Sequence, residues 1–138
     1  GVSVRVAAGL KTIGSAYIRT ASGLKQIFSM ASGALSVGVP ATAYGAAAVG
    51  STVSVTTETV QAVASGGTGP YSYLWARTDA NPGTWVITAP TSDSTAFRAN
   101  SVAPLTAKLA TFQCTVTDSL GASVVSTGID ASVDNFGV

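Results

Sequence analysis

The chain has 138 residues, enough for one domain with a core plus an appendage and too few for two full domains. Hydrophobic residues make up 46% and charged residues only 9%, against roughly 25% charged in an average soluble protein, so solubility rests on Ser, Thr, Asn and Gln or on partners that cover the surface. Histidine is absent, Cys114 is the only cysteine and the net charge is +1; this excludes a disulfide within the chain, a Ser–His–Asp arrangement and a Cys/His metal set.

The small net charge is unevenly placed. Arg5, Lys11, Arg19 and Lys25 all precede the first acid, Glu58. Beyond it Arg77, Arg98 and Lys108 are outnumbered by Glu58, Asp79, Asp93, Asp118, Asp130 and Asp134. Such a split predicts a basic end that docks on something acidic. Four cations without interleaved aromatics do not make a nucleic-acid interface, and none is expected. No charged-then-apolar leader opens the sequence and no apolar run is long enough to span a bilayer. A start at Gly1 fits loss of an initiator methionine, and the expectation is a protein made in a cytoplasm without membrane insertion.

The first 28 residues contain a duplication. VRVAAGLKTI, Val4 to Ile13, lies over IRTASGLKQI, Ile18 to Ile27, at an offset of 14. Arg5 matches Arg19, Leu10 matches Leu24, Lys11 matches Lys25 and Ile13 matches Ile27, and an internal repeat reports a reused structural unit. Two structures fit the unit. One is a hairpin: strand Val4–Val6, a turn through Ala7, Ala8 and Gly9, and strand Leu10–Ile13, with period-two alternation on both sides. The other is a basic amphipathic helix striped by Leu10, Ile13, Tyr17, Leu24 and Ile27, lying on a membrane or partner, since 14 residues is also two heptads. Gly9, Gly14 and Gly23 favour the hairpin, because each costs a helix interior about 1 kcal/mol relative to Ala. Isolated hairpins are marginal in water. Arg5, Leu10, Lys11, Ile13, Arg19, Leu24, Lys25 and Ile27 are therefore the expected docking and oligomerisation residues.

Residues 29–50 are small and uncharged and read as a linker, with one short strand at Ala34–Val39 that ends at Pro40. From 51 to 138 the sequence becomes short alternating strands separated by turn signals, an all-β pattern. Expected strands are Ser51–Thr57, Thr59–Ala64, one carrying Tyr71, Tyr73 and Trp75 on one face, Thr84–Thr88, Ser94–Ala99, Ala110–Thr117 and Ala122–Val133. Ser65–Pro70, Asn81-Pro82-Gly83 and Asp118–Gly121 are the loops between them.

About seven strands in about 90 residues is the size of an immunoglobulin-like β-sandwich. GGTGPYSYLW, followed further on by ATFQCTVTDSLGA, resembles the bacterial Ig-like and PKD-like domains, in which a loop enters a strand with a core Trp and a later strand runs into a TD-x-x-G hairpin. The resemblance puts Trp75 and Cys114 at the positions of the core Trp and second cysteine, and Phe112 where a tyrosine corner would stand. Val60 and Ala62 replace the first cysteine, Phe112 lacks the hydroxyl, and Ala76-Arg77-Thr78-Asp79 stands in place of the PKD acidic, glycine-rich motif. Tandem units of the V-R-V…G-L-K-T-I type ahead of an Ig-like domain are similar to small structural proteins of tailed bacteriophages, of tail, fibre or decoration type. That resemblance implies a virion location, synthesis in the bacterial host cytoplasm, other virion proteins as partners and a homo-oligomer, with a trimer as the guess for a fibre.

Little in the sequence reads as chemistry. Asp79, Asp93, Asp130 and Asp134 read as turn or surface acids, and Cys114 has no base beside it and reads as an inert core thiol. Gly66-Gly67-Thr68-Gly69 lacks the Lys and the helix of a phosphate loop. No catalytic residue, cofactor or metal is expected. Tyr71 and Trp85 are the candidates for facing a ligand such as a host-surface glycan, although packing inside the sandwich is the favoured reading of both. The expectation is a non-enzymatic structural component of a phage particle; the alternatives are a glycan-binding adhesin and a membrane-active peptide on a carrier.

Overall fold

The computed structural model describes the strands Ser15–Thr20 and Gly23–Ser29 and the stretch 33–138. The described residues form fourteen strands and no helix, so the chain is all-β. It divides into two units, 1–34 and 35–138.

In the first unit, β1 (Ser15–Thr20) and β2 (Gly23–Ser29) pair antiparallel, with Thr20 opposite Gly23, Arg19 opposite Leu24 and Ile18 opposite Lys25. The register shifts between Ala16, opposite Phe28, and Tyr17, opposite Gln26. Ile27 is the extra residue of that bulge.

The second unit begins with β3 (Ser36–Gly38), β4 (Thr42–Ala47), β5 (Val53–Thr56), β6 (Val60–Gln61) and β7 (Val63–Ser65). It continues with β8 (Ser72–Arg77), β9 (Trp85–Ile87), β10 (Ser94–Thr95) and β11 (Phe97–Val102), and ends with β12 (Thr106–Thr117), β13 (Ser123–Val125) and β14 (Ile129–Asn135). One set of ladders joins β3 to β7, β6 to β10, and β5 to β11 to β9. A five-stranded sheet is built on the twelve-residue β12, with β8 on one edge and β13 then β14 on the other. Its last strand is β4, parallel to β14 from Thr42 opposite Asp130 to Ala47 opposite Asn135.

β3 falls within the strand expected at Ala34–Val39, but the linker reading of residues 29–50 does not describe residues 42–47. β4 belongs to a ladder of the second unit, and Ala43 is 1% exposed. Small side chains here serve close approach rather than looseness. A Cβ on Gly45 would fall against the Thr56 carbonyl, 2.7 Å from its carbon and 2.9 Å from Thr57 Cα. Only glycine lets β4 and β5 come this near.

The core follows from period-two alternation. Ala110, Phe112, Cys114 and Val116 on β12 and Ile129, Ala131 and Val133 on β14 are buried in strict alternation. All of them except Val133 meet Trp75, Val60, Ala62 and Phe97 in one cluster. Val55, Ala99, Val102 and Val133 form a second cluster, and Trp85 packs against both. Each fully buried Phe is worth about 1.5–3 kcal/mol of apolar transfer.

Candidate functional site

Of the expected docking residues, Arg5, Leu10, Lys11 and Ile13 lie outside the described residues. Arg19, Leu24, Lys25 and Ile27 lie on the β1–β2 pair, where Arg19 stands opposite Leu24 and Lys25 opposite Ile18. This backbone register brings cationic and aliphatic positions of the second repeat into adjoining pairs.

Tyr71 and Trp85, the two candidates for facing a ligand, are both half-buried and packed against the main core. The Tyr71 hydroxyl donates to Gly66 O at 2.6 Å and so ties the glycine-rich loop to β8. Trp85 meets Phe112 edge-on at 5.7 Å, and its indole N–H is buried without a partner among the described residues. Trp75 differs: its indole donates to Ser92 O at 2.7 Å, and it stands directly opposite Cys114.

Near Tyr71 the two loops at this end are fastened together. Asp118 opens the hairpin between β12 and β13, and its Oδ1 accepts from Leu120 N and Ala122 N at 3.0 and 2.9 Å. Its Oδ2 accepts from Thr68 N at 3.1 Å, across 50 residues. Ser119 returns two bonds of 2.9 Å, from its N–H and its hydroxyl, to Thr68 O. Burial by itself would raise the Asp118 pKa, but the N–H groups of Thr68, Ala122, Leu120 and Gly121 hold it below the ordinary carboxylate value. Gly67 is required twice, by its φ of +58° and because a Cβ there would sit 2.8 Å from Asp118 Oδ2. The result is a firm loop pair with Leu120, 80% exposed, at its tip.

A second carboxylate is engaged as fully. Asp79 takes Arg77 Nε at 3.1 Å and Nη2 at 2.9 Å, Asn81 N at 2.7 Å and Thr111 N at 2.6 Å. The Arg77 guanidinium is the largest influence and lowers its pKa far below the carboxylate range; burial opposes this, and the N–H groups of Thr111 and Asn81 reinforce it. Read from sequence, Asp79 is a surface acid; its place as the brace between the 79–83 loop and β12 was missed. The Arg77-Thr78-Asp79 spacing is its only sequence signal, since Thr111 lies 32 residues away.

Cys114 is fully buried as a free thiol, and burial raises its pKa, which disfavours the nucleophilic thiolate. Among the described residues no three His, Cys, Asp or Glu gather where a metal ion could be held, and no helix is long and apolar enough to cross a membrane. The arrangement comprises two loop systems braced by carboxylates whose oxygens are occupied by N–H donors.

No protein-family model matches the chain, and no curated protein matches it in sequence.

Proposed function

We propose that this protein is a non-enzymatic structural component of a bacteriophage particle, held by its cationic N-terminal repeat as a homo-oligomer against other virion proteins, with residues 35–138 as the displayed domain. The observation that carries the reading is the division of charge and of sequence type. A duplicated stretch with four cations and no acid precedes a domain whose three cations face six acids. The duplication is too short to shelter its own aliphatic side chains, so it needs a surface to lie on.

The displayed domain is read as an immunoglobulin-like sandwich. Its pairing supports this: the first strand splits, β3 pairing with β7 and β4 running parallel to β14, while β12 has β8 on one edge and β13 and β14 in succession on the other. Trp75 opposite Cys114, with Phe112 two residues earlier and also buried, supports the same alignment. The hairpin reading of the repeat is supported by the β1–β2 register over its second copy.

Deleting residues 1–28 tests the reading. The shortened chain is expected to fold and to be lost from purified particles. Incorporation at the level of the full chain would overturn it.

A further inference from the structure

β12 is longer than the strand beside it. β8 covers it only from Phe112 to Thr117, whereas β12 starts at Thr106. On that edge residues 106–110 have no strand neighbour, while the opposite edge is taken by β14 throughout. Backbone groups alternate sides along an antiparallel strand, so the bonds at Thr111 fix which groups face the open edge. Thr111 N–H donates to Asp79 Oδ2 at 2.6 Å and Thr111 C=O accepts from Thr78 N at 2.8 Å, both on the β8 side. Leu109 and Ala107, two and four positions earlier, therefore aim their N–H and C=O groups the same way. Among the described residues none of these four groups has a hydrogen-bond partner there.

They open into a groove of about 410 Å³ bounded by Ala107, Lys108 and Leu109 on one side and Asn81, Pro82 and Gly83 on the other. The far wall is braced. Arg77 donates to Gly83 O at 2.8 Å and also to Asn81 O, and Asp79 Oδ1 takes the Asn81 N–H. Leu109 is 57% exposed on the near side.

The geometry points to a β-augmentation site: Ala107–Leu109 takes one extended strand from another protein, laid in line with β8 between β12 and the 81–83 loop. The occupant follows from the unpaired groups. Two N–H and two C=O at ladder spacing match an extended backbone and no helix, which satisfies its own. Five residues at about 3.3 Å each leave room for a strand of four or five residues, with aliphatic side chains against Leu109 and Pro82. This goes beyond the structural-component reading and does not rest on it.

The probe is the synthetic peptide Ac-Val-Thr-Val-Thr-Val-NH2 at millimolar concentration, added to the 15N-labelled full chain. A version N-methylated on every residue is the control, since neither of its edges can complete a ladder. The amides of Ala107 and Leu109 are expected to shift and to exchange about tenfold more slowly with the first peptide, and to be unmoved by the second. Leu109→Pro, which removes a donor on the open edge without touching the β14 ladder, is expected to abolish the protection while the Phe112–Thr117 amides stay protected. Equal effects of the two peptides, or changes confined to other surfaces, would overturn the proposal. Protection that rises with the concentration of the chain alone would assign the edge to a second copy and overturn it as well.

Discussion

The rings of Phe97 and Phe112 lie parallel, 3.9 Å apart and 4° from coplanar orientation. Phe97 belongs to β11 and Phe112 to β12, so this stack joins the ladder of β5, β11 and β9 to the five-stranded sheet. Trp75 closes edge-on against Phe97 and Trp85 edge-on against Phe112. Four aromatic residues thus form one continuous contact through the core.

Phe112→Ala is expected to lower stability by about 3–5 kcal/mol, the range for emptying a buried aromatic site. Phe97→Ala should cost as much, and the double variant less than the sum, because each single change already breaks the shared stack. Urea unfolding of the four proteins checks both statements.

Gly45→Ala places a methyl group against the Thr56 carbonyl and Thr57 Cα. Backbone cannot step aside as a side chain can. The expected loss is about 1–3 kcal/mol, as for overpacking, read as a lower urea midpoint with an unchanged slope.

Asn135 is 1% exposed and uses both ends of its amide. Its oxygen accepts from Val49 N and Gly137 N at 3.1 and 3.2 Å, and its nitrogen donates to Ser51 O and Val102 O at 3.0 and 3.3 Å. Asn135→Asp keeps the shape and loses both donors, turning a carboxylate toward two carbonyls. A loss of about 1–3 kcal/mol is expected, larger at neutral pH than in acid, where protonation restores one donor. Thermal unfolding at the two pH values decides this.

Asp79 makes stability depend on pH in a defined direction. Its folded-state pKa lies below the unfolded value, held there first by Arg77 and then by Thr111 and Asn81. The contribution is therefore complete above the unfolded carboxylate pKa of about 4 and is lost as pH falls through the folded value. Asp79→Asn should lower the urea midpoint at neutral pH and flatten its decline in acid. A variant that declines as steeply as the parent would remove Asp79 from this role.

Alternation made much of the second unit legible. Ala110–Thr117 reads as a strand because apolar and polar residues trade places every step, and Asp118-Ser119-Leu120-Gly121 reads as its turn from its residue types; Gly121 there adopts a φ of +88° that glycine accommodates. β4 was illegible: Thr42-Ala43-Tyr44-Gly45-Ala46-Ala47 has little strand propensity, and its partner β14 lies more than 80 residues away. The same distance hides Asn135, a polar residue whose burial makes sense only once Val49, Ser51 and Val102 surround it. Tyr71 and Trp85 carried too little local information to separate a core role from an exposed one, because the core they pack against is assembled from strands distant in sequence. The open edge at Ala107 and Leu109 was invisible for a related reason. Where β8 stops along β12 is a matter of register, and register is absent from a single strand's composition.

Sedimentation equilibrium of the purified full chain beside one lacking residues 1–28 reads whether the cationic repeat assembles the protein. An assembly larger than a monomer for the full chain, reduced to a folded monomer by the deletion, is the predicted result. A monomeric full chain whose basic stretch is clipped away by protease with no change in mass distribution or particle binding would contradict it.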